Sequence, residues 1–302
     1  MTITIIGGGI IGLTTAFELT ERGENVHLID AETSDYGTTD DGTAIYPAAS
    51  HYAGGMLAPI AEVQFQQDAL FPLMTASADA YPSLMKRLSR ATDLPTGYDT
   101  TGTLIVAADR ADAEHLQRTR AYYRDLNRPA DPVTPTQART LEPLLAPRIA
   151  GAVSIPSDHQ LHPRLMRGAL KDALTRRGVT FSTERVTNPD AGDIICAGLG
   201  ATLHGDYPLR PVYGDILRLR APRPILKHVV RGYVNSRPVY LIPRPDGELC
   251  IGATSREDHR TLPAIDGVHQ LLRDAIRLVP AVEECELLEA NVGARPGTPD
   301  DL

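Results

Sequence analysis

The sequence predicts a mixed α/β protein, α+β overall, in which a discontinuous βαβ layer carries an inserted antiparallel sheet with helices. Three observations support this fold class. A strand, a glycine-rich turn, a helix and a second strand fill the first 30 residues. Two further apolar strands follow a well-bounded helix near residue 180. After Pro208 the pattern changes to the alternation of polar and apolar residues that is typical of antiparallel strands.

The composition indicates a cytoplasmic globular protein that binds neither nucleic acid nor a membrane. The 302 residues include 42% hydrophobic and 23% charged side chains, and the formal net charge is −8 without any block of Lys and Arg. Cys196, Cys250 and Cys285 are too far apart for a metal site, so we expect buried thiols in a reducing compartment and no bound metal. The apolar run at the start lacks a basic segment and ends at Glu18, which argues against a signal peptide or an anchor.

The opening βαβ unit follows from a change of hydrophobic period. Residues 2–6 are a β-branched run that predicts a buried strand. Residues 10–22 have helical spacing and stop before Gly23, a favourable residue after a helix end. Residues 25–30, "NVHLID", predict the second strand, and the polar stretch 31–53 predicts a long loop.

The middle of the chain alternates between helices and strands. A helical pattern over 64–88 is interrupted at Pro72 and Pro82, and the helix over 162–178 has Pro163 in its first turn and Gly178 past its end. The other predicted elements here are a helix over 112–126 and strands over 102–108, 151–156, 179–182 and 193–198, the last two returning to the βαβ layer.

The last third predicts the antiparallel sheet. Alternating strands are expected over 213–221, 238–244 and 248–254, with Pro245-Asp246-Gly247 as the turn between the last two. A helix over 267–279 stops at Pro280, and residues 285–294 lead into a Gly/Pro turn, Arg295-Pro296-Gly297. Because Pro296 restricts the residue before it, we expect Arg295 to be extended. The predicted domains are 1–60 with 145–205 for the nucleotide and 61–144 with 206–293 for the substrate, while 294–302 starts a return to the first domain.

The glycine-rich turn is a dinucleotide-binding fingerprint of the Rossmann type. Gly7 permits the tight turn, Gly9 lets the backbone approach a pyrophosphate, and Gly12 lets the helix pack against the strand. Asp30 follows 18 residues after Gly12 at a strand end, where a ribose hydroxyl would lie. Taken alone, this motif leaves FAD and NAD open.

A second candidate for close backbone approach is the strand end at Ala197-Gly198. The small residues of "DIICAGLGA" would let the chain pass next to a bound dinucleotide. Taken alone, this segment is either a structural glycine turn or a cofactor contact.

Five segments together resemble the D-amino-acid-oxidase-like flavoproteins. They are the glycine turn, "AGGMLAP" at 53–59, "DHQLHPRLM" at 158–166, "YLIPRPDGELCIGAT" at 240–254 and "ARPGTPD" at 294–300. The resemblance spans nearly the whole chain, and "GGMLAP" with "RPGTPD" is more specific than the glycines. Neither segment has a role in an NAD-dependent dehydrogenase, which is therefore disfavoured.

The resemblance implies a discontinuous, Rossmann-like FAD-binding domain with non-covalent FAD. It places Ile10 and Ile11 at the pyrophosphate and Asp30 and Ala31 at the ribose. It also implies cofactor contacts by Ala49, Ser50, Gly54, Gly55 and Met56 along the flavin, and by Val186 on the adenine side. Glycines without side chains and a soft methionine suit a flat apolar ring.

The resemblance also gives the arginine near the end of the chain a role. It implies hydride transfer from the substrate α-carbon to the flavin, with reoxidation by O2 and no catalytic acid or base from the protein. Arg295 is then expected to hold the substrate carboxylate through two charge-assisted hydrogen bonds, assisted by the Tyr240 hydroxyl, across a gap that excludes water.

The implied activity is the deamination of glycine to the 2-oxo acid, ammonia and hydrogen peroxide in thiamine biosynthesis. The alternatives are a D-amino-acid or sarcosine oxidase, or a truncated and catalytically weak FAD-binding protein. Family members continue past Leu302, so we expect a fragment or truncated form with loose FAD binding and low turnover. A homo-oligomer is possible for this family.

Overall fold

The computed structural model describes residues 1–31, 37–38, 44–63, 69–126, 129–188, 192–204 and 208–300. Its helices are α1 (Ile10–Glu21), α2 (Ala49–Tyr52), α3 (Phe71–Leu88), α4 (Arg110–Asp125), α5 (Pro135–Leu141), α6 (Pro163–Arg176) and α7 (Ile265–Leu278). Its strands are β1 (Thr2–Ile6), β2 (Asn25–Asp30), β3 (Gly37–Thr38), β4 (Ala44–Ile45), β5 (Met56–Leu57), β6 (Thr103–Ala107), β7 (Asp131–Val133), β8 (Gly151–Ile155), β9 (His159–Gln160), β10 (Thr180–Thr183), β11 (Ile194–Ile195), β12 (Arg210–Arg220), β13 (Val229–Val234), β14 (Arg237–Pro243), β15 (Glu248–Gly252) and β16 (Glu286–Gly297).

The smaller of the two main sheets is parallel and holds both ends of the predicted discontinuous layer. Its strand order is β10-β2-β1-β11, and all of its pairs are parallel. Leu13 and Phe17 of α1 pack with Met166 and Leu170 of α6 against Ile5 of β1. Burial of these apolar side chains is what holds the helices on the sheet.

The larger sheet has eight strands in the order β16-β12-β15-β14-β13-β6-β8-β7. One face packs on α7 through a cluster that includes Leu241, Ile251 and Leu278. The other face carries a second cluster around Ile105 and Tyr123. The sheet is antiparallel except for the parallel pair of β6 with β13, so it is mixed and the predicted purely antiparallel sheet needs that correction.

Most predicted elements occur where expected, and the mixed α/β fold is confirmed. The turn over residues 245–247 is confirmed too, with Gly247 at φ +85°. Helix α3 differs, because it runs through Pro82 without the expected interruption. Pro72 lies in the first turn of α3, where the missing proline N–H removes no intrahelical hydrogen bond. Residues 64–68 of that predicted helix, and 32–36 and 39–43 of the predicted loop, lie outside the described residues.

Arg295 lies in a strand and not in a turn. β16 continues through Gly297, with Arg295 opposite Val212 and Pro296 opposite Pro211. β16 is at the edge of its sheet, where a proline breaks no ladder on the open side. The predicted extended conformation of Arg295 is therefore confirmed, while the expected turn is wrong.

The proposed domain boundaries stay a prediction. One strand does not pair in the sheet of the domain to which its residues were assigned. β8 falls within 145–205 but pairs with β6 and β7 in the larger sheet. Leu84 and Leu88 of α3, which fall within 61–144, pack into the core of the parallel layer. No helix in the described part of the chain combines the length and apolar character that a membrane crossing requires.

Candidate functional site

A cavity of about 760 Å³ opens at the carboxyl ends of the parallel strands. Ile6 and Gly7 lie at the end of β1, Asp30 at the end of β2, and Cys196 just after β11, and all four line it. Ligands of open parallel sheets bind at this edge, because the turns that follow the strands meet there.

The glycine turn is packed too tightly for side chains. A Cβ on Gly7, whose φ is +107°, would lie 2.3 Å from the Cys196 carbonyl oxygen. A Cβ on Gly12 would lie 1.9 Å from the Gly7 carbonyl oxygen. A Cβ on Gly8 would lie 2.4 Å from the Asp30 carboxylate. These close approaches bring β1, α1 and the segment after β11 together around the cavity.

The amino end of α1 faces the cavity without a side-chain cap of its own. Gly9 is the N-cap residue, and the first turn contains no acidic side chain. The Ile10 N–H donates to the Ser50 hydroxyl at 3.2 Å, so the predicted segment 49–50 lies against the predicted pyrophosphate turn. Free N–H groups and the positive end of the helix dipole make such an end suitable for phosphate.

Most predicted cofactor residues line this one cavity. They are Gly7, Gly9, Ile10, Ile11, Asp30, Ala31, Ala49, Ser50, Val186, Ala197 and Gly198. Gly12 packs behind the turn, while Gly54, Gly55 and Met56 lie between the two sheets, outside the lining of the cavity.

The segment 54–57 is joined to the chain around Leu161. β5 pairs with β9, and the Leu161 N–H donates to the Gly55 carbonyl oxygen at 2.9 Å. A Cβ on Gly54 would lie 2.7 Å from Ile242 Cδ1 and 3.1 Å from Tyr240 Cε2. Gly54 thus lies against β14, the strand that carries the predicted substrate tyrosine.

Tyr240 is partly buried between two glycines. Its ring lies beside Gly54, and its hydroxyl lies 2.3 Å from where a Cβ on Gly252 would be. Burial raises the pKa of Tyr240 far above its ordinary value, and the nearby charge of Arg295 opposes this rise. The phenol therefore stays protonated at neutral pH and is available as a hydrogen-bond donor.

Arg295 lies over Gly214 of the neighbouring strand. A Cβ on Gly214 would lie 2.5 Å from Arg295 Nη2, and this Nη2 donates to the Thr254 carbonyl oxygen at 3.4 Å. Among the described residues, Arg295 has no carboxylate partner. Its side chain is exposed, so the structure does not show the expected water-excluding gap around the guanidinium.

The cavity also has lining residues that sequence reasoning missed. Arg167 of α6 donates to the Gly8 carbonyl oxygen at 3.2 Å, and His51 lies beside it. Burial, followed by the charges of Arg164 and Arg167, lowers the pKa of His51, which favours the neutral ring. The run of three glycines in the sequence could have indicated Gly8 as a lining residue. Arg167 and His51 are brought to the cavity only by the packing of α6 and α2, which no local sequence pattern indicates.

Asp158 supports the turn that follows Met56 and is fully buried. Its carboxylate accepts from the Ile60 N–H at 3.4 Å and the Ala61 N–H at 3.1 Å. Burial raises its pKa from 3.8 to about 7, although the two backbone donors oppose the rise. The folded protein therefore binds a proton here more tightly than the unfolded chain does.

This raised pKa predicts a pH-dependent stability. Between about pH 4 and about pH 7, Asp158 should make the protein less stable as the pH rises, because the unfolded chain releases this proton at a lower pH than the folded protein does. Urea unfolding of wild type and Asp158→Asn at several pH values measures this. The stability of the variant relative to wild type should improve towards pH 7, and parallel pH profiles would contradict the expectation.

The cavity fits a dinucleotide in shape and in chemistry. A Cβ on Gly9 would meet no atom closer than the Ser50 hydroxyl oxygen at 3.7 Å, so the space on that side of the backbone is open to a ligand. The helix end suits a pyrophosphate and the Asp30 carboxylate suits a ribose hydroxyl.

Comparisons with known proteins agree with this geometry. Residues 2–302 match the DAO family, described as FAD dependent oxidoreductase. Glycine oxidase of Geobacillus kaustophilus is 30% identical across 99% of this chain and 82% of the relative. The oxidoreductase ThiO of Rhizobium etli, named for thiamine biosynthesis, is 29% identical across 100% of this chain and 86% of the relative. A crystal structure of the Geobacillus kaustophilus glycine oxidase has a TM-score of 0.83 at 29% identity, and covers 99% of this chain and 84% of that one. This chain is therefore a member of the DAO family of FAD-dependent oxidoreductases, with FAD as its cofactor.

Proposed function

We propose that this oxidoreductase deaminates glycine, giving the 2-oxo acid, ammonia and hydrogen peroxide from glycine, O2 and water. Small amines and D-amino acids would be poorer substrates. The name of the Rhizobium etli relative supports a place in thiamine biosynthesis, and the glycine oxidase relative supports the substrate. The cytoplasmic location and a homo-oligomer stay predictions from the sequence.

The observation that carries the proposal is that Arg295 lies near enough to Tyr240 for its charge to act on the tyrosine hydroxyl. Among the described residues the Arg295 guanidinium has no carboxylate of its own, and it lies near the tyrosine that contacts Gly54. A planar guanidinium binds a carboxylate through two parallel hydrogen bonds and so fixes its orientation. Gly214 and Gly252 leave the space for these two side chains, because neither has a Cβ.

Arg295 and Tyr240 would each make a different contact with the substrate carboxylate. Arg295 would hold the charge of the substrate carboxylate, and the protonated Tyr240 would donate to one of its oxygens. Binding of the carboxylate in this way would hold the substrate α-carbon in one orientation. This lowers the activation barrier of the reaction without any proton transfer by the protein. FAD supplies the redox chemistry when bound, by accepting two electrons from the substrate and passing them to O2.

Peroxide release measured with glycine, sarcosine and D-alanine tests the proposed substrate. We expect glycine to give the highest kcat/KM of the three. A clear preference for D-alanine or for sarcosine would instead identify a D-amino-acid or sarcosine oxidase. A protein that binds FAD and releases peroxide with none of them would contradict the proposed activity.

Tyr240→Phe should raise the KM for glycine about 3- to 10-fold and change kcat less. One neutral hydrogen bond to the substrate carboxylate is lost, which corresponds to about 1 kcal/mol. Tyr123→Phe is the matched control, because the Tyr123 hydroxyl is buried without a hydrogen-bond partner among the described residues. Equal KM values in wild type and Tyr240→Phe would remove Tyr240 from substrate binding.

A further inference from the structure

Arg244 is a buried arginine whose two terminal nitrogens donate only to uncharged oxygen atoms. It follows β14 and is 6% exposed. Its Nη1 donates to the Gln160 side-chain oxygen at 2.9 Å and to the Leu161 carbonyl oxygen at 2.8 Å. Its Nη2 donates to the carbonyl oxygen of Gly54. Burying a guanidinium costs free energy that an arginine at the surface does not lose. A buried arginine therefore needs a specific structural or functional role.

The bond from Arg244 to Gly54 sets the direction of one peptide group. In a planar trans peptide the C=O and the following N–H point in opposite directions. Since the Gly54 C=O points towards Arg244, the Gly55 N–H points away from it. Among the described residues, no acceptor takes the Gly55 N–H, and Gly55 is partly exposed. This peptide is therefore an oriented hydrogen-bond donor that the folded chain does not use itself.

The peptide is held from both sides. The Leu161 N–H donates to the Gly55 carbonyl oxygen at 2.9 Å, and Arg244 holds the Leu161 carbonyl oxygen as well. Gly55 has a φ of +85°, and a Cβ there would lie 2.2 Å from that Leu161 oxygen. Rotation of the 54–55 peptide would break the Arg244 bond and leave buried charge-bearing donors without an acceptor.

We propose that Arg244 is a positioning residue for the cofactor, which fixes the Gly54–Gly55 peptide so that the Gly55 N–H is offered to the flavin ring. This inference rests on the proposed function and on the placement of the flavin along residues 54–56 that the family resemblance implies. The ligand group is a hydrogen-bond-accepting edge of the ring. Arg244 acts only through the peptide and contacts no substrate.

Arg244→Met tests this role through FAD itself. The Kd for FAD should rise about tenfold, measured by equilibrium dialysis, because the donor is no longer held in place. The two-electron midpoint potential of the bound flavin should shift by about 30 mV, which corresponds to a tenfold change in the reduction equilibrium. Arg244→Lys keeps the charge but not the planar fork, and should weaken FAD binding three- to fivefold.

Arg237→Met is the matched control, at the beginning of β14, the strand that Arg244 directly follows. Arg237 pairs with the buried Asp274 on the α7 side, so its loss should destabilise the protein without changing the flavin potential or the Kd by more than twofold. Wild-type Kd and potential in both Arg244 variants would overturn the proposal, as would FAD loss that follows thermal stability equally in the Arg237 and Arg244 variants. If Arg244→Met does not fold, the Kd for FAD and the flavin potential of Arg244→Lys alone test the proposal. No amino acid enters these measurements, so they can fail or succeed independently of the proposed substrate.

Discussion

Arg295→Met should lower kcat/KM for glycine at least about 100-fold while the protein still binds FAD. The variant loses two charge-assisted hydrogen bonds to the substrate carboxylate, each corresponding to about 1.5–3 kcal/mol, and every 1.4 kcal/mol is a factor of ten. Steady-state peroxide release measures the loss. Arg295→Lys should recover only part of it, because a lysine keeps the charge but cannot form the planar pair of bonds.

The control for this variant is Arg220→Met, at the far end of β12. Arg220 is also exposed, but it lies opposite Glu286, at the other end of the β12–β16 pair from Arg295, so its loss should leave kcat/KM within about twofold. Activity of Arg295→Met that is equal to that of Arg220→Met would show that the substrate carboxylate is bound elsewhere.

Gly12→Ala should abolish detectable FAD binding, so that the protein is purified without its yellow colour. The new methyl carbon would lie 1.9 Å from the Gly7 carbonyl oxygen, and neither α1 nor the turn can move away without opening the cavity. Flavin absorption of the purified protein, together with an FAD titration, measures the effect.

Gly168→Ala gives the matched comparison, because no heavy atom lies within 4 Å of a Cβ at that helical position. It should bind FAD as wild type does and gain up to about 1 kcal/mol of stability from helix propensity. If Gly12→Ala retained wild-type FAD affinity, the close approach of α1 and β1 would not be needed for the cofactor.

The part of the site that was predictable from the sequence is the part built by neighbouring residues. Gly7, Gly9 and Asp30 belong to one βαβ unit, so their relative positions follow from a strand, a turn and a helix. The later segment at Ala197 and Gly198 was foreseen as a close backbone approach, and it does line the cavity.

The rest depends on contacts between distant strands. Arg295 is placed by Gly214 and by the Thr254 carbonyl, which belong to other parts of the chain, and no local pattern reports that space. Strand β13 was missed because "VVRGYV" contains a partly buried arginine and a glycine in place of simple alternation. The sequence assigned no role to Arg244, and only the folded chain shows that its hydrogen bonds reach Gly54.

Anaerobic mixing of the purified yellow protein with glycine tests the proposed oxidase activity most directly. The visible flavin absorption should fade as the amino acid reduces the cofactor, and it should return when air is admitted, with release of hydrogen peroxide. The same experiment with Arg295→Met should show much slower fading. Absorption that stays unchanged under glycine, sarcosine and D-alanine, in a protein fully loaded with FAD, would contradict an amino-acid oxidase.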